Sequence, residues 1–169
     1  MSSNRLLNQR ILARIVVILA LVLCVPSARA AGTSYYVSQS EGSDAYDGLA
    51  GSYDGAHGPW KTLTKASAVT FQEGDQLLLK CGDTWNDGLV LTGNGTATNP
   101  AVLSAYGTGN RPIIDRQDSV ITNMLRCIFL GGNAHGWKIM NLELANAARG
   151  IEAYAGGAGL SYLWFENLL

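Results

Sequence analysis

The chain is poor in cysteine, histidine and proline, and this shortage limits the kinds of site it can carry. It contains 3 cysteines, 2 histidines and 4 prolines in 169 residues. Only Cys81 and Cys127 lie beyond residue 30, so the chain is no cysteine-stapled scaffold, although these two could form one disulfide. Two thiols buried as small apolar side chains are the favoured interpretation. Neither cysteine has a second cysteine or a histidine at metal-ligand spacing, so a zinc site is not indicated.

Long apolar runs are also scarce, and the one near the start of the chain is too short to span a membrane. It extends from Ile15 to Val25, which is 11 residues, whereas roughly 20 are needed to cross a bilayer. Three arginines precede the run, and Ala28–Ala30 follows with small residues at both positions that a signal peptidase reads. We therefore predict that residues 1–30 are a signal peptide cleaved after Ala30, and that the protein is secreted or periplasmic.

Basic residues are scarce in the remainder of the chain. Four of the 12 basic residues and none of the 13 acidic residues lie within residues 1–30, which leaves 8 basic against 13 acidic residues and a net charge of −5 with histidine neutral. A negative chain is poorly suited to nucleic acid or to an anionic membrane surface. We expect no nucleic-acid partner, and no membrane partner once the leader is removed.

An internal repeat is present instead. Residues 124–143 align with residues 150–169 without a gap, at an offset of 26 residues. The matching positions are Leu125 with Ile151, Ile128 with Tyr154, Gly131 with Gly157, Ile139 with Phe165, Asn141 with Asn167 and Leu142 with Leu168. A period of about 20 to 50 residues is typical of solenoids, because each repeat buries its apolar face only against its neighbours. We predict that Ile139 stacks on Phe165, and that Asn141 stacks on Asn167, at the spacing of neighbouring strands, about 4.8 Å.

Residues 31–75 and 76–169 show different patterns. The first segment predicts a strand at 35–37, a loop rich in glycine and aspartate at 38–58, and an amphipathic helix at 60–71 that Pro59 opens. The second contains short apolar runs between turn residues, which predict strands. These runs are 77–80, 89–91, 102–106, 113–114, 125–130, 137–144, 151–154 and 162–168. No two are joined by a clean two-residue hairpin, which favours parallel coils. A leucine-rich repeat is the rival solenoid, but Asn141 lies inside a strand run.

Several motifs of the first half resemble the entry region of bacterial secreted right-handed parallel β-helix proteins of the pectin-lyase-like superfamily. They include Tyr35-Tyr36-Val37-Ser38, Pro59-Trp60-Lys61-Thr62-Leu63, Gly74-Asp75-Gln76-Leu77-Leu78-Leu79-Lys80, Gly82-Asp83-Thr84-Trp85 and Ser104-Ala105-Tyr106-Gly107. The resemblance covers residues 34–115 by motif and the remainder by coil pattern. It implies an all-β, right-handed parallel β-helix whose open end is covered by an N-terminal capping helix at 59–71.

The resemblance implies less about activity than about fold. The superfamily includes polysaccharide lyases, glycoside hydrolases, uronate epimerases and non-enzymatic surface proteins, and the fold does not select among them. We expect the N-terminal part of an exported carbohydrate-active enzyme, a lyase or a hydrolase, acting on extracellular polysaccharide. The alternative is a non-catalytic glycan-binding or structural surface protein. Because residues 165–169 end the chain inside an apolar strand, we expect an incomplete solenoid that aggregates and is inactive by itself.

The acidic residues do not identify a catalytic pair. Glycoside hydrolysis requires two carboxyl groups roughly 5 to 9.5 Å apart. The acids of the last coils are Glu143, Glu152 and Glu166, and no acid pair recurs at the 26-residue offset. A solvated outer face is the favoured interpretation, with Arg126 over Glu152 as a surface ion pair. Catalytic residues therefore stay unassigned.

Other polar and aromatic residues each allow a functional and a structural interpretation. Asp44, Asp47 and Asp54 could bind calcium, but Asx turns in a glycine-rich loop are favoured. No cofactor is indicated in this chain, and calcium is an expectation for a full-length protein only. Gly93-Asn94-Gly95-Thr96 is favoured as a turn over a phosphate loop, and His57 and His135 are favoured as loop residues over bases. Trp85, Trp137 and Trp164 could form sugar-stacking platforms, and for Trp137, which aligns with Leu163, a core role is at least as favoured.

Overall fold

The computed structural model describes residues 31–118, 124–132, 134–154 and 159–169. The predicted signal peptide and its cleavage site after Ala30 therefore fall on residues outside the described ranges. In chain order the elements are β1 (Ser34–Val37), α1 (Leu63–Ser67), β2 (Thr70–Phe71), β3 (Gln76–Lys80), β4 (Thr84–Trp85), β5 (Leu89–Gly93), β6 (Ala101–Tyr106), β7 (Ile113–Asp115), β8 (Arg126–Leu130), β9 (Trp137–Met140), β10 (Glu143–Ala145), β11 (Arg149–Ala153) and β12 (Leu163–Glu166). Within the described ranges no helix is long and apolar enough to cross a membrane.

The strands form three parallel sheets that the chain visits in rotation. The first sheet has the order β1-β3-β6-β9-β12, the second β4-β7-β10, and the third β2-β5-β8-β11. From β3 onwards the chain passes from the first sheet to the second, to the third, and back to the first. Each circuit lies beside the preceding one, so the pairing is parallel throughout these sheets. The expected nearly all-β, solenoid-like arrangement of parallel coils is confirmed, and a meander is excluded.

The inward positions of successive coils carry matching aliphatic side chains. In the first sheet Leu77 pairs with Leu103, and Leu103 pairs with Ile139. All three side chains are fully buried. In the third sheet Leu89 pairs with Ile128 in the same way. Each added coil contributes a layer of aliphatic side chains to one continuous core. A fully buried Leu or Ile in such a layer stabilises the fold by about 1.5–3 kcal/mol.

The 26-residue offset holds in the first sheet and fails in the third. Ile139 pairs with Phe165, as predicted. Ile128, however, pairs with Ile151 and not with Tyr154, so the offset between β8 and β11 is 23 residues. The predicted pairs Leu125 with Ile151 and Ile128 with Tyr154 are therefore wrong. The predicted Gly131–Gly157 pair involves Gly157, which is outside the described ranges.

The change of offset has its origin in the connection between the third and first sheets. Six residues, 131–136, separate β8 from β9, whereas nine residues, 154–162, separate β11 from β12. Backbone pairing fixes the register inside each sheet but leaves the length of the turns between sheets free. One fixed period over the whole coil is therefore not required, and a gapless alignment could match only one of the two sheets.

The helix predicted at 60–71 is shorter in the structure. Helix α1 spans only Leu63–Ser67, and the Thr62 side chain caps it by accepting the Lys65 N–H. Trp60 instead forms a parallel bridge with Val37, and residues 70–71 form β2. The approximately helical spacing arose because Trp60, Leu63 and Ala66 are all buried, although they belong to different local structures. An aromatic and a β-branched residue favour a strand at 70–71.

The strand predicted at 137–144 is divided by a corner at Asn141. This residue has a φ of 63°, and Asn167 in the next coil has a φ of 53°. Asparagine tolerates this left-handed conformation better than most residues, which explains its place at the corner. The argument that Asn141 lies inside a strand was therefore wrong, although the parallel coils that it supported are present.

The predicted stacking of the two asparagines is confirmed, and it extends to a third residue. Asn167 Nδ2 donates to Asn141 Oδ1 at 2.7 Å, and Asn141 Nδ2 donates to Ser104 Oγ at 3.1 Å. The Ser104 side chain is buried in the first sheet. This ladder of amide and hydroxyl groups joins three successive coils at one corner.

We expect Asn141→Ala to destabilise the protein more than Asn141→Gly. Both variants lose two side-chain hydrogen bonds, which contribute about 0.5–1.5 kcal/mol each. Alanine must in addition adopt a positive φ, which costs roughly a further 1 kcal/mol, whereas glycine adopts it readily. Urea denaturation followed by circular dichroism measures both differences. Equal stability of the two variants would show that the backbone conformation at this corner is not constrained.

Candidate functional site

Glu152 lies in a cluster of charges on the outer face of the third sheet. Its Oε2 is 2.6 Å from Arg126 Nη1 and 3.3 Å from Arg149 Nη1. The hydrogen bond from Arg126 outweighs the opposing effect of burial and holds the pKa of the Glu152 carboxyl below its ordinary value. A carboxyl group with a lowered pKa is ionised at neutral pH and is poorly suited to donate a proton. In this cluster Glu152 is the charge partner of both arginines.

The predicted ion pair between Arg126 and Glu152 is present but, contrary to expectation, the two residues are not opposite each other in the strand register. Arg126 pairs with Arg149 across the strands, and Glu152 pairs with Phe129. The long Arg126 side chain therefore reaches diagonally, and its Cζ lies 4.3 Å from the centre of the Phe129 ring. The cation is held between an aromatic face and a carboxylate, an arrangement that restricts its orientation.

An open cavity of about 360 Å³ lies beside this cluster. We call it the arginine cleft, and it is lined by Gly88, Leu89, Val90, Arg116, Met124, Leu125, Arg126 and Phe129. Arg116 Nη1 donates to the Asn86 carbonyl at 3.0 Å, while its Nε is buried without a hydrogen-bond partner. A Cβ at Gly88 would lie 3.5 Å from the Arg116 guanidinium and 2.9 Å from the Arg126 carbonyl oxygen. Glycine at this position allows the close approach of the Arg126 carbonyl oxygen, whereas a Cβ would make only ordinary contact with Arg116.

The chemistry of the arginine cleft is that of an oxygen-rich ligand site. Guanidinium groups donate several hydrogen bonds in a fixed planar geometry, and they suit carboxylates, phosphates and hydroxyl groups. Sequence reasoning missed this cleft because Gly88 belongs to one coil, Arg116 and Phe129 belong to the next, and the three residues share no motif. A partial signal was available in the predicted contact of Arg126 with Glu152.

The other two glutamates of the last coils lie apart from this cluster in the sheet topology. Glu166 belongs to the first sheet, and its Oε2 is 2.9 Å from Lys138 Nζ. Glu143 is half-buried in β10 of the second sheet and pairs with Ile113. The three candidate acids are thus divided among three different sheets, which agrees with the interpretation of a polar outer surface.

Two of the three aspartates of the loop after β1 form the predicted Asx turns, whereas Asp44 makes long-range hydrogen bonds instead. Asp44 accepts the Lys61 and Thr62 N–H groups at 2.9 and 3.0 Å, which ties the loop to the start of α1. Asp47 and Asp54 each accept the N–H of the residue two positions later, at 3.0 and 2.9 Å. These are the Asx turns that the sequence predicted. Among the described residues no group of three or more His, Cys, Asp or Glu side chains could hold a metal ion.

His57 and Asp47 form a pair on the surface of this loop. The distance between His57 Nδ1 and Asp47 Oδ2 is 2.5 Å, and both side chains are exposed. The hydrogen bond with Asp47 raises the pKa of His57 above its ordinary value of 6.5, and the same bond lowers the pKa of Asp47 below 3.8. His135 lies in the turn before β9, where it forms a bridge with Asn94. Both histidines are therefore loop residues, as predicted.

Two of the three candidate tryptophans belong to the core. Trp85 and Trp137 are 4% and 0% exposed, and their indole N–H groups donate to the carbonyl oxygens of Lys61 and Gly93, both at 3.0 Å. Trp164 is 40% exposed on β12, beside Tyr162. Only Trp164 can serve as a surface platform.

The remaining predictions concern a turn and the cysteines. Residues 93–96 lead from β5 into a turn in which Thr96 N–H donates to the Asn99 carbonyl at 3.0 Å, as expected for a turn. Cys81 and Cys127 are both free thiols, so no disulfide joins them. Cys127 is buried and its Sγ lies 3.2 Å from the Ile114 carbonyl oxygen, and burial raises the pKa of its thiol. Cys81 is only half-buried, which differs from the expectation of two buried thiols.

Comparison with known proteins connects these coils to a group of glycosidases. No family model matches the chain. The lacto-N-biosidase of Bifidobacterium longum subsp. longum is 36% identical over 89 residues, which are 49% of this chain and 5% of that protein. The GH136 lacto-N-biosidase from Eubacterium ramulus, as a selenomethionine derivative, has a TM-score of 0.62 and 26% identity and matches 80% of this chain. The native crystal structure of that enzyme has a TM-score of 0.60 and 24% identity, which supports the fold alone.

The matched region is a small part of each relative. The chain spans 27% of the selenomethionine structure, 26% of the native structure and 5% of the Bifidobacterium protein. The similarity therefore concerns a set of coils within much longer proteins.

The His57–Asp47 pair should titrate as a unit. We expect an NMR titration midpoint of His57 above 6.5, and a return toward the ordinary value in Asp47→Asn. Asp54→Asn is the matched control and should change the midpoint less, since its contribution to the His57 pKa is smaller. A midpoint at or below 6.5 would contradict the pairing.

The same pair predicts the sign of the pH dependence of folding stability. The contribution of His57, whose pKa is raised, is fully present below 6.5 and is lost as the pH rises through the raised value. The contribution of Asp47, whose pKa is lowered, is present above 3.8 and is lost as the pH falls through the lowered value. The melting temperatures of wild type and His57→Gln should therefore differ more at mildly acidic pH than in alkaline solution.

Proposed function

We propose that this chain forms the first coils of an exported, carbohydrate-active parallel β-helix protein that hydrolyses a glycan. The observation that carries the proposal is the similarity to the Eubacterium ramulus lacto-N-biosidase, at 26% identity and a TM-score of 0.62 over 80% of the chain. The relative from Bifidobacterium longum is also named as a lacto-N-biosidase. Both names describe glycosidases, which favours hydrolysis over β-elimination as the reaction, and a glycan as the substrate.

The described coils suit the binding part of such a reaction better than the proton-transfer part. Glycoside hydrolysis needs one carboxyl group that is protonated and a second that is ionised, roughly 5 to 9.5 Å apart. Glu152 is held ionised by two arginines, and Glu166 is paired with Lys138. Cationic and aromatic side chains on the outer faces instead offer hydrogen-bond donors and stacking surfaces for sugar rings. We assign these faces to glycan binding.

The arrangement of the protein follows from the same proposal. We propose that residues 1–30 direct export, that residues 31–75 cover the N-terminal end of the solenoid, and that residues 76–169 form the first coils of a right-handed β-helix of the pectin-lyase-like type. Helix α1 supports the covering role, because Leu63 and Ala66 are buried in the same core as the strands. Trp60 supports it too, since it stacks on Tyr35 of the edge strand β1 at 5.2 Å between ring centres.

The alternative function is a non-catalytic glycan-binding or structural surface protein. The two arginines beside Glu152 favour it, because they lower the pKa of this carboxyl and disfavour its role as a proton donor. In that case the outer faces would bind a glycan without cleaving it.

A hydrolysis assay separates the two functions. The complete gene product that carries this chain should release p-nitrophenol from p-nitrophenyl β-lacto-N-bioside, since both relatives are named for this activity. p-Nitrophenyl β-galactoside serves as the control substrate and should react more slowly. Binding of the lacto-N-bioside without release of p-nitrophenol would favour the non-catalytic glycan-binding alternative. The absence of both would contradict hydrolysis and glycan binding, and would favour a structural surface protein.

The mass of the exported protein tests the predicted removal of the signal peptide. Intact-mass analysis of the protein from the medium or periplasm should give an N-terminus at Ala31, because a basic segment, a short apolar core and small residues precede it. Ala30→Phe is the matched control and should block cleavage and leave the precursor mass. A mature protein that retains residues 1–30 within the membrane would contradict the proposal.

A further inference from the structure

Two aromatic side chains lie exposed on the outer face of the first sheet. Tyr162 lies in the bend immediately before β12, with a φ of 54°, and Trp164 lies within β12. The two rings lie beside each other. Their ring centres are 6.4 Å apart, and the ring planes are inclined by only 24°. Tyr162 is 57% and Trp164 is 40% exposed. The two rings stack on each other, and the remaining exposed part of each ring is available to a ligand.

The exposure of Trp164 is not required by the packing of the coil. Leu163 and Phe165 continue the register of the core, since they pair with Trp137 and Ile139. Phe165 is itself 50% exposed, because β12 is the edge strand of the first sheet among the described residues. Trp164 pairs with Lys138 on the opposite face of the same strands. The core is therefore built without Trp164, and its indole adds a large apolar surface on the solvent side. Such surfaces on soluble proteins frequently mark binding sites.

A small groove adjoins the indole ring. It has a volume of about 240 Å³ and is lined by Ala97, Pro100, Lys138, Trp164 and Glu166. Sites for drug-sized ligands are usually about 300–1,000 Å³, so this groove suits a smaller group such as a single sugar ring. Ala97 and Pro100 add short apolar walls and no charge. The charged groups of the groove are Lys138 and Glu166.

These two charges compensate each other and leave hydrogen-bonding capacity. Lys138 Nζ and Glu166 Oε2 are 2.9 Å apart. An ammonium group has three donors and a carboxylate has about four acceptor sites, so the ion pair uses only a part of them. One sugar hydroxyl can accept from Lys138 while a neighbouring hydroxyl donates to Glu166. Because the pair is neutral as a whole, it favours neither an anionic nor a cationic ligand.

An aromatic face and a neutral pair of donor and acceptor are complementary to a pyranose ring. The ring face of an aromatic side chain is electron-rich and attracts weakly positive hydrogen atoms, which the C–H groups on one side of a pyranose supply. The hydroxyl groups at the ring edge then lie over the ion pair. We propose that Tyr162, Trp164, Lys138 and Glu166 form a binding subsite for one neutral pyranose ring of a glycan. This inference rests on the proposed function, since it states where and how that glycan binds.

The tryptophans provide a direct test of the subsite. The other three described tryptophans, Trp60, Trp85 and Trp137, are 4%, 4% and 0% exposed. In the complete gene product, the difference in acrylamide quenching between wild type and Trp164→Phe therefore reports on Trp164. Lacto-N-biose and lactose, the neutral probes, should protect the fluorescence in a saturable manner. Glucuronic acid, the anionic probe, should protect it several-fold more weakly. The absence of saturable protection by both neutral sugars would overturn the proposal, as would stronger protection by glucuronic acid.

Variants assign the binding to the named side chains. By saturation-transfer NMR, Trp164→Ala should weaken lacto-N-biose binding about tenfold, whereas Trp164→Phe should retain most of it. Lys138→Gln and Glu166→Gln should each weaken binding several-fold. Tyr53→Ala, which removes an exposed aromatic ring from the loop before α1, is the matched control and should bind as wild type. Equal losses in Tyr53→Ala and Trp164→Ala would overturn the proposal, with folding checked by circular dichroism.

The outcome is separable from that of the hydrolysis assay. If the complete gene product hydrolyses the lacto-N-bioside while Trp164→Ala binds lacto-N-biose as well as wild type, the subsite is wrong and the proposed function stands. If binding depends on Trp164 but the complete gene product releases no p-nitrophenol, the subsite stands and the proposed hydrolysis is wrong.

Discussion

Parallel hydrogen bonding between successive coils is the constraint on which the rest of this structure depends. A strand in these sheets finds partners for its backbone groups only in the coils before and after it, since the next strand along the chain belongs to a different sheet. The inward positions must then coincide from coil to coil, as Leu77, Leu103 and Ile139 do. The corners between sheets must also coincide, and the ladder of Ser104, Asn141 and Asn167 satisfies polar side chains where the chain turns. Core packing and corner chemistry are both consequences of this stacking.

The stacking of coils constrains neither the length of the turns between sheets nor the identity of the outward side chains, and the surface of the protein depends on both. Turns between sheets can change in length without disturbing the pairing, as the shift from 26 to 23 residues between the first and third sheets shows. Outward side chains have no core to fill, so neighbouring coils can place any pair of residues side by side. Lys138 beside Trp164 is one such pair, and Arg126 reaching Glu152 is another. Binding surfaces in this fold are therefore assembled across coils, at positions that the chain order separates widely.

The electrostatics of the outer faces favour binding of neutral or oxygen-rich groups over proton transfer. Glu152 and Glu166 each lie within ion-pair distance of a cation, and the pKa of Glu152 is lowered by its hydrogen bond to Arg126. The arginine cleft adds a second guanidinium group, that of Arg116, whose Nε has no hydrogen-bond partner. A glycan offers many hydroxyl groups and apolar ring faces, which match these donors and the exposed indole of Trp164. The surface chemistry of these coils is therefore compatible with the glycan ligand that we propose.

The sequence by itself determined the local preferences of this protein: short strands bounded by turn residues, Asx turns at Asp47 and Asp54, and the stacking of Ile139 on Phe165 and of Asn141 on Asn167. These depend on residue type and short-range spacing, which a single sequence displays. The tertiary structure alone decided the register in the third sheet, the division of the predicted helix at 60–71, and the burial of Trp85 and Trp137 against the exposure of Trp164. It also brought Gly88, Arg116 and Phe129 to one cleft. The physical reason is that each of these features depends on which residues of another coil lie alongside. The lengths of the turns between sheets set that alignment, and no local sequence pattern encodes them.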